Sequence, residues 1–401
     1  MEQIRKKSIK PYFLFCVFIC LTVSSQGNWT QLQRDFVANN PMPATDGFQS
    51  SLWRAANMPW LMVSDFPDLK IERFAFKIAN EFPVEGSTSS YWIRVGLRLQ
   101  KDTDGQILKR PAVFLLPGIF ADVNNLTSLM QADWLFQKGY HVFLFSNPWS
   151  KNWIVDIKSF VPGDLDSEVI WMDRFLAHIR TQYADKIENV SVLGNSYGAF
   201  LGARWVAKSK ETFAKVYLVN PPADLLKSVA RLDKHADETF EVVKDKLSIM
   251  WEGLYYLQRE PFAGFKEKSP LHAKAVVIYG GFIEDLARSL LTMGYRDRVT
   301  IEPPGLDNRA RKHWLRSFRF RDYASKFSNL EEIEKQSALE QWVNKASAKS
   351  SVYILTAEDD FLNEPQQWDW KDKTNILIAP EGGHMGYILE PWYKALFLEI
   401  F

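Results

Sequence analysis

The stretch Asn189-Val190-Ser191-Val192-Leu193-Gly194-Asn195-Ser196-Tyr197-Gly198-Ala199-Phe200 sets the reading of the whole chain. It opens as a strand-sized apolar run, passes through Gly194-x-Ser196-x-Gly198, and continues into AFLGARWVAK (199–208), which reads as a helix. A bare G-x-S-x-G occurs often by chance, but strand, motif and helix in that order make a nucleophile elbow, with the serine on a sharp turn. Glycines two residues before and two after it let neighbouring backbone pass without a Cβ clash. The backbone N–H of Tyr197, at the helix start, then points toward a developing oxyanion and gains from the helix dipole. Ser196 is thus the candidate nucleophile and Tyr197 a candidate oxyanion donor. An ordinary glycine-rich turn is the bland alternative.

Outward from the elbow, short apolar runs recur: 71–81, 91–100, 111–118, 140–147, 189–196, 215–220, 350–356 and 375–380. The first two alternate partly across a Pro/Gly/Ser-rich stretch and read as a hairpin. The others are near-continuous, as expected of parallel strands covered on both faces, and they alternate with helix-like stretches at 126–138, 166–184 and 197–209. Together they predict an α/β architecture built on an open, doubly wound sheet. Residues 223–349 break the rhythm with amphipathic helical patterns and read as an inserted helical cap. Within it AVVIYGG (275–281) suits a strand or a buried helix segment. Residues 26–70, with Trp29, Trp53 and Trp60, read as an N-terminal arm packed on the core.

The 401 residues, 46% hydrophobic and 24% charged, are enough for a sizeable core. With 49 Lys+Arg against 48 Asp+Glu the chain has no global field to recruit nucleic acid. Residues 1–25 combine a basic n-region (Arg5, Lys6, Lys7, Lys10), the apolar run PYFLFCVFICLTV and the small pair Ser24-Ser25, the pattern of a secretory signal. An uncleaved anchor and a lipid on Cys20 are the rival readings. Removal of this leader leaves 45 basic and 47 acidic residues, net −2, and takes away both cysteines, Cys16 and Cys20. The mature chain then has no thiol for catalysis, zinc binding or a disulfide.

From the elbow onward the chain resembles the α/β-hydrolase family, and the resemblance covers nearly everything after residue 70. The family places its acid after the strand that follows the cap and its histidine after the last strand. Ala357-Glu358-Asp359-Asp360-Phe361 is similar to the family's G-x-x-D turn, which makes Asp360 the expected acid, with Asp359 and Asp224 as rivals. Glu381-Gly382-Gly383-His384-Met385-Gly386-Tyr387 stands at the histidine position, and the order Ser196, Asp360, His384 matches the family's order. The other five histidines (His141, His178, His235, His272, His313) lie in strand or helix patterns and are given solvated or packing roles. Pro117-Gly118-Ile119-Phe120 stands where the family usually has His-Gly-x. The Ile119 N–H is therefore the expected second oxyanion donor, with Phe120 as the alternative.

What the resemblance implies is an eight-stranded α/β-hydrolase sheet with a helical cap, carrying a Ser196–His384–Asp360 triad that needs no metal or organic cofactor. The expected activity is that of an exported serine hydrolase on a carboxylic ester, thioester or lipid-like acyl substrate. A peptidase or amidase of the same fold is the runner-up, and a catalytically silent binding protein is the other class. GGHMGYI and the AEDDF turn look like the YheT-type branch, which adds nothing about specificity. Apolar and aromatic residues of 249–265 (Met250, Trp251, Leu254, Tyr255, Tyr256, Phe262, Phe265) suit either the cap's own core or an apolar acyl pocket. The basic run from Arg296 to Arg321, with Trp314, Phe318, Phe320 and Tyr323 interleaved, suits a solvated, charge-paired face more than peripheral contact with a membrane. The sequence sets no oligomeric state.

Overall fold

Side chains of a strand alternate between its two faces, so a strand covered on both sides needs apolar residues at consecutive positions. The computed structural model, which describes residues 28–40, 47–51, 72–78, 91–123, 125–156, 162–243, 270–297, 319–320, 330–370 and 375–401, has that arrangement. The leader 1–25, the aromatic segment 249–265 and most of the basic run 296–323 lie outside the described residues.

Eight strands form one sheet: β1 (Glu72–Ile78), β2 (Tyr91–Arg98), β3 (Arg110–Leu116), β4 (His141–Phe145), β5 (Ile187–Asn195), β6 (Lys215–Val219), β7 (Ser351–Ala357) and β8 (Ile376–Ala379). Their order across the sheet is β1-β2-β4-β3-β5-β6-β7-β8. β1 and β2 pair antiparallel, as the hairpin reading requires, and β2 pairs antiparallel with β4. Every other pairing is parallel.

In β3, Ala112, Phe114 and Leu116 point into one hydrophobic core while Val113 and Leu115 point into the other; Phe143 and Phe145 of β4 oppose Val142 and Leu144 in the same way. Phe114 and Phe143 stack with centroids 4.9 Å apart, and Phe175 and Trp205 meet Phe114 edge-on from the helices above. Burying side chains of this size stabilises the fold by roughly 1.5–3 kcal/mol each before the entropy of ordering is subtracted.

The helices on the two faces begin where the sequence supplies caps. Asn125 accepts from the Ser128 N–H at the start of Leu126–Gln137, and Gly139, at φ +95°, follows its end with a positive φ that favours glycine. Asp164 caps Leu165–Gln182, with Asp166 and Glu168 in the first turn and Arg180 in the last, each favourable to the helix dipole. Tyr197–Lys208 is apolar around its circumference and buried along nearly its whole length, as a helix between a sheet and other helices must be.

The interval 223–349 is helical where it is described. Leu225–Val243 leads into it, and Pro270–Ala275 continues through a π-helical segment, Val276–Ile283, into Glu284–Asp297. AVVIYGG is thus helical, with its backbone bonds made locally instead of to a sheet. Leu339–Ser347 packs against Tyr197–Lys208, where Trp342 faces Arg204, and so joins the layer that covers the sheet. Among the described residues no helix is long and apolar enough to cross a membrane.

The arm is tied to the far side of the sheet. The Trp29 indole N–H donates to the carbonyls of Ile354 and Asn375, both at 3.0 Å, and its ring meets Tyr353 and Tyr217 edge-on. Thr30 and Gln33 form a capping box that starts the helix Gln31–Ala38, and Arg34 donates to the Ile376 carbonyl at 2.8 Å.

Candidate active site

β5, β6, β7 and β8 are neighbours in the sheet, and each ends in a residue of the site: Ser196, Asn220, Asp360 and His384 follow them in turn. Parallel strands put these ends at one edge, where open α/β sheets bind ligands. Adjacent strands stitch the turns together: Ser196 N–H donates to the Val219 carbonyl, Asn220 N–H to Leu355 and Glu358 N–H to Ala379, at 2.8, 2.8 and 2.9 Å.

Ser196 has φ 54° and ψ −124°, a conformation that L-residues rarely adopt. Its flanking glycines are what the turn requires. A Cβ on Gly198 would strike the carbonyls of Leu116 and Pro117, and one on Gly194 would lie 2.5 Å from the Ala199 Cα. Among the described residues, the non-glycine residues with positive φ are Phe120, Ser196, Asn220 and Met385, all in the loops at this edge. The side chain of Asn195 is held from below, donating to Gln131 at 2.6 Å, and Gln131 donates in turn to the Tyr393 hydroxyl at 2.9 Å.

The three residues expected from sequence meet here. Ser196 Oγ lies 2.7 Å from His384 Nε2, and His384 Nδ1 lies 3.1 Å from both oxygens of Asp360. All three are buried. With Nδ1 facing a carboxylate, the ring proton belongs on Nδ1 and the Nε2 lone pair faces the serine hydroxyl. Asp360 also accepts from the Leu362 N–H at 3.0 Å, Asn220 Nδ2 at 2.8 Å and Asn363 Nδ2 at 3.2 Å. A buried carboxylate with four donors is fixed in orientation.

The two rival acids have other partners. Asp359 accepts from the Gly383 N–H at 2.7 Å and braces the histidine loop, while burial, aided by the charge of Asp360, pushes its carboxyl up to about 6. Asp224 accepts from the Lys227 N–H at 3.1 Å at the start of Leu225–Val243. Of the other histidines, buried His141 bridges the Gln100 N–H and the Leu108 carbonyl, and His235 pairs with Glu238. Burial lowers the pKa of both. His313 lies outside the described residues.

Three supporting residues were not singled out from sequence. Asn220 holds Asp360 and the Gly383 carbonyl at once and accepts from the Tyr387 hydroxyl. Asn363 links Asp360 to the Pro221 carbonyl and the Ala223 N–H. Ser51, on the arm, accepts from the His384 N–H at 2.7 Å and donates to the Gly47 carbonyl at 2.6 Å. A signal existed for two of them, because Asn220 and Asn363 lie in the same loops as the candidate acids. Ser51 had none.

On the other side of the serine, Gly118 passes so close that a Cβ there would sit 3.4 Å from Ser196 Cβ, and Ile119 follows it at the pocket wall. The Tyr197 amide lies in the first turn of its helix, where no helical carbonyl is available to it. Tyr197 O–H donates to Glu168 Oε2 at 2.7 Å, and the Gly163 N–H donates to Glu168 Oε1 at 3.0 Å. Complete burial pushes the Glu168 carboxyl up to about 7, against the pull of these donors and of Arg204.

Above Ser196 opens a pocket of about 700 Å3, solvent at its mouth included, within the range of small-molecule sites. Its lining includes Ile119, Trp149, Leu225, Phe282, Phe320 and Leu362. Phe320 belongs to the basic run, and its neighbour Arg319 pairs with Asp237 on Leu225–Val243.

A mostly parallel sheet of this order, with a strained serine between β5 and the following helix, defines the architecture. The chain has the α/β-hydrolase fold. No family model matches it, and neither does any curated protein. Among solved structures it is similar to an esterase of Pyrococcus furiosus at 14% identity, covering 83% of this chain and 91% of that one, with a TM-score of 0.46. It is also similar to the carboxylesterase CesB of Bacillus subtilis at 12% identity, 88% and 98% coverage and TM-score 0.41. A third is a membrane phospholipase A described as a bacterial virulence factor, at 14% identity, 86% and 92% coverage and TM-score 0.38.

Proposed function

We propose that this protein is a serine hydrolase acting on a carboxylic ester, thioester or lipid-like acyl substrate, with Ser196 as nucleophile, His384 as general base and Asp360 as the orienting acid. The observation that carries the reading is the unbroken hydrogen-bonded line from Asp360 through His384 to Ser196 Oγ at the floor of an apolar pocket.

As Ser196 Oγ attacks the acyl carbon, His384 Nε2 takes its proton, and the imidazolium is stabilised by Asp360. The carbonyl π-electrons move onto oxygen, which the N–H groups of Tyr197 and Ile119 receive, each worth roughly 3–4 kcal/mol to the transition state if it behaves as a known oxyanion donor does. Collapse of the tetrahedral intermediate expels the alcohol or thiol, which takes the proton from His384, and leaves the acyl-enzyme. Water, deprotonated by the same Nε2, then releases the acid and restores Ser196. The apolar walls exclude bulk water and favour the hydrocarbon part of the substrate.

The test uses a reagent that needs an activated serine and no particular substrate. Intact-mass analysis of the purified protein after treatment with a fluorophosphonate is expected to show one adduct per chain, lost in Ser196→Ala and in His384→Ala. A folded wild type that takes up no label, or an adduct that survives Ser196→Ala, rejects the assignment. The leader reading of residues 1–25 makes this an exported enzyme, and sequencing of secreted material is expected to begin near Gln26.

A further inference from the structure

Residues 47–51 precede every strand of the sheet, yet they pack against the loop that carries the histidine. Gly382, Gly383 and Met385 have φ of 149°, 52° and 66°, and His384 belongs to no helix or strand whose ladder would fix its backbone. The bond that closes the loop, Gly386 N–H to the Gly382 carbonyl at 2.8 Å, spans His384 without holding it. The His384 N–H donates instead to Ser51 Oγ at 2.7 Å, and that hydroxyl donates its own proton to the Gly47 carbonyl, four residues back, at 2.6 Å. The approach is backbone to backbone. A Cβ on Gly386 would lie 2.1 Å from the Ser50 carbonyl oxygen, and one on Gly47 would lie 1.8 Å from that of Asp359. Phe48 stacks on Phe361 with centroids 4.7 Å apart, and Phe361 meets the His384 ring at 5.4 Å. Gln49, Ser50 and Ser51 are buried. The segment thus reaches His384 twice, at the amide through Ser51 and at the ring through Phe48 and Phe361. Among the described residues, none of these five lines the pocket above Ser196.

We propose that residues 47–51 complete the active site from outside the sheet and its helices, with Ser51 as a positioning residue that acts through the backbone of His384. The inference rests on the serine-hydrolase reading and adds an element and a residue to it. A general base works over a short range: His384 Nε2 has to stay within hydrogen-bond reach of Ser196 Oγ in acylation and then offer the same lone pair to water. A misplacement of about 1 Å can cost about a hundredfold in rate. Because the segment touches the histidine loop and not the pocket wall, its loosening slows the chemical steps and leaves substrate binding as it was.

The experiment measures kcat and KM for 4-nitrophenyl butyrate, and the rate of fluorophosphonate labelling, in wild type, Ser51→Ala and Trp29→Phe, with folded protein quantified by circular dichroism. Ser51→Ala leaves the His384 N–H and the Gly47 carbonyl without this partner. It is expected to lower kcat and the labelling rate per folded chain by about ten- to a hundredfold, with KM within about twofold of wild type. Trp29→Phe weakens the same arm where it meets Ile354 and Asn375, and is expected to lower stability while keeping the wild-type kcat. That contrast separates positioning from support of the fold. A Ser51→Ala protein with wild-type kcat, a loss confined to KM, or a loss that Trp29→Phe shares in full overturns the proposal. If Ser51→Ala does not fold, Gly47→Ala takes its place: the added Cβ meets the Asp359 carbonyl, so the segment has to back away with its hydroxyl intact, and an unchanged kcat then overturns the proposal. A wild type that neither turns over the ester nor takes up the label removes the hydrolase reading and this inference with it, whereas wild-type turnover that Ser51→Ala leaves intact removes this inference alone.

Discussion

Asp360 is the residue on which the geometry of the site turns. Its two oxygens are shared among His384, Asn220, Asn363 and the Leu362 amide, so the carboxylate cannot rotate without breaking several contacts. Replacing it by asparagine keeps the shape but offers an NH2 group or a weaker acceptor to His384 Nδ1, which favours the tautomer with the proton on Nε2. Asp360→Asn is expected to lower kcat by roughly 10^3–10^4 with the fold unchanged, measured by ester hydrolysis beside circular dichroism. The candidate site was largely legible at this scale because serine, acid and histidine each sit in a loop of distinctive composition. Asn220 and Asn363 were passed over because an amide announces no chemistry of its own; its value lies in the carboxylate it happens to face.

At the scale of elements, the elbow demands that a helix start directly against a neighbouring strand. Gly198 is where that contact is tightest, with the Leu116 and Pro117 carbonyls occupying the place of its Cβ. Gly198→Ala is expected to destabilise the protein by at least about 2 kcal/mol, read as a lowered midpoint of chemical unfolding, since two backbone carbonyls have to move. The first turn of Leu165–Gln182 carries a second constraint, the buried pair of Glu168 and Tyr197. In the unfolded chain Glu168 titrates near 4.5, and in the fold near 7. Between these values the folded protein keeps a proton that the unfolded chain has released, so this group makes stability fall as pH rises through that window. Glu168→Gln retains an acceptor for the Tyr197 hydroxyl and has no proton to lose. Thermal melts at pH 5 and pH 8 are therefore expected to show the variant gaining on the wild type at the higher pH, while Asp359, pushed up to about 6, keeps part of the slope in both.

Across the whole molecule, the sheet ties together parts of the chain that are hundreds of residues apart. Trp29 joins the arm to the strands that carry Asp360 and His384, through two carbonyls and two aromatic rings. Trp29→Phe keeps most of the packing but leaves both carbonyls without this donor, and is expected to cost about 1–3 kcal/mol in chemical unfolding. The arm also reaches the loop of His384: Ser51 holds the His384 amide, and a Cβ on Gly383 would strike the Gly47 carbonyl.

The eight strands, their mostly parallel pairing and the strand-turn-helix around Ser196 were determined by the sequence alone, because hydrophobic periodicity and glycine placement are local and survive without knowledge of neighbours. The choice between strand and helix for AVVIYGG was not, since a short apolar run satisfies either; a helical path lets its backbone groups bond locally while Ile278 and Tyr279 reach the core. The packing of Leu339–Ser347 on the elbow helix, the bracing of His384 by Ser51 and the sharing of Asp360 among four donors were decided by tertiary structure. Each is a contact between residues remote in the chain, and what such a residue does depends on the partner that folding brings to it.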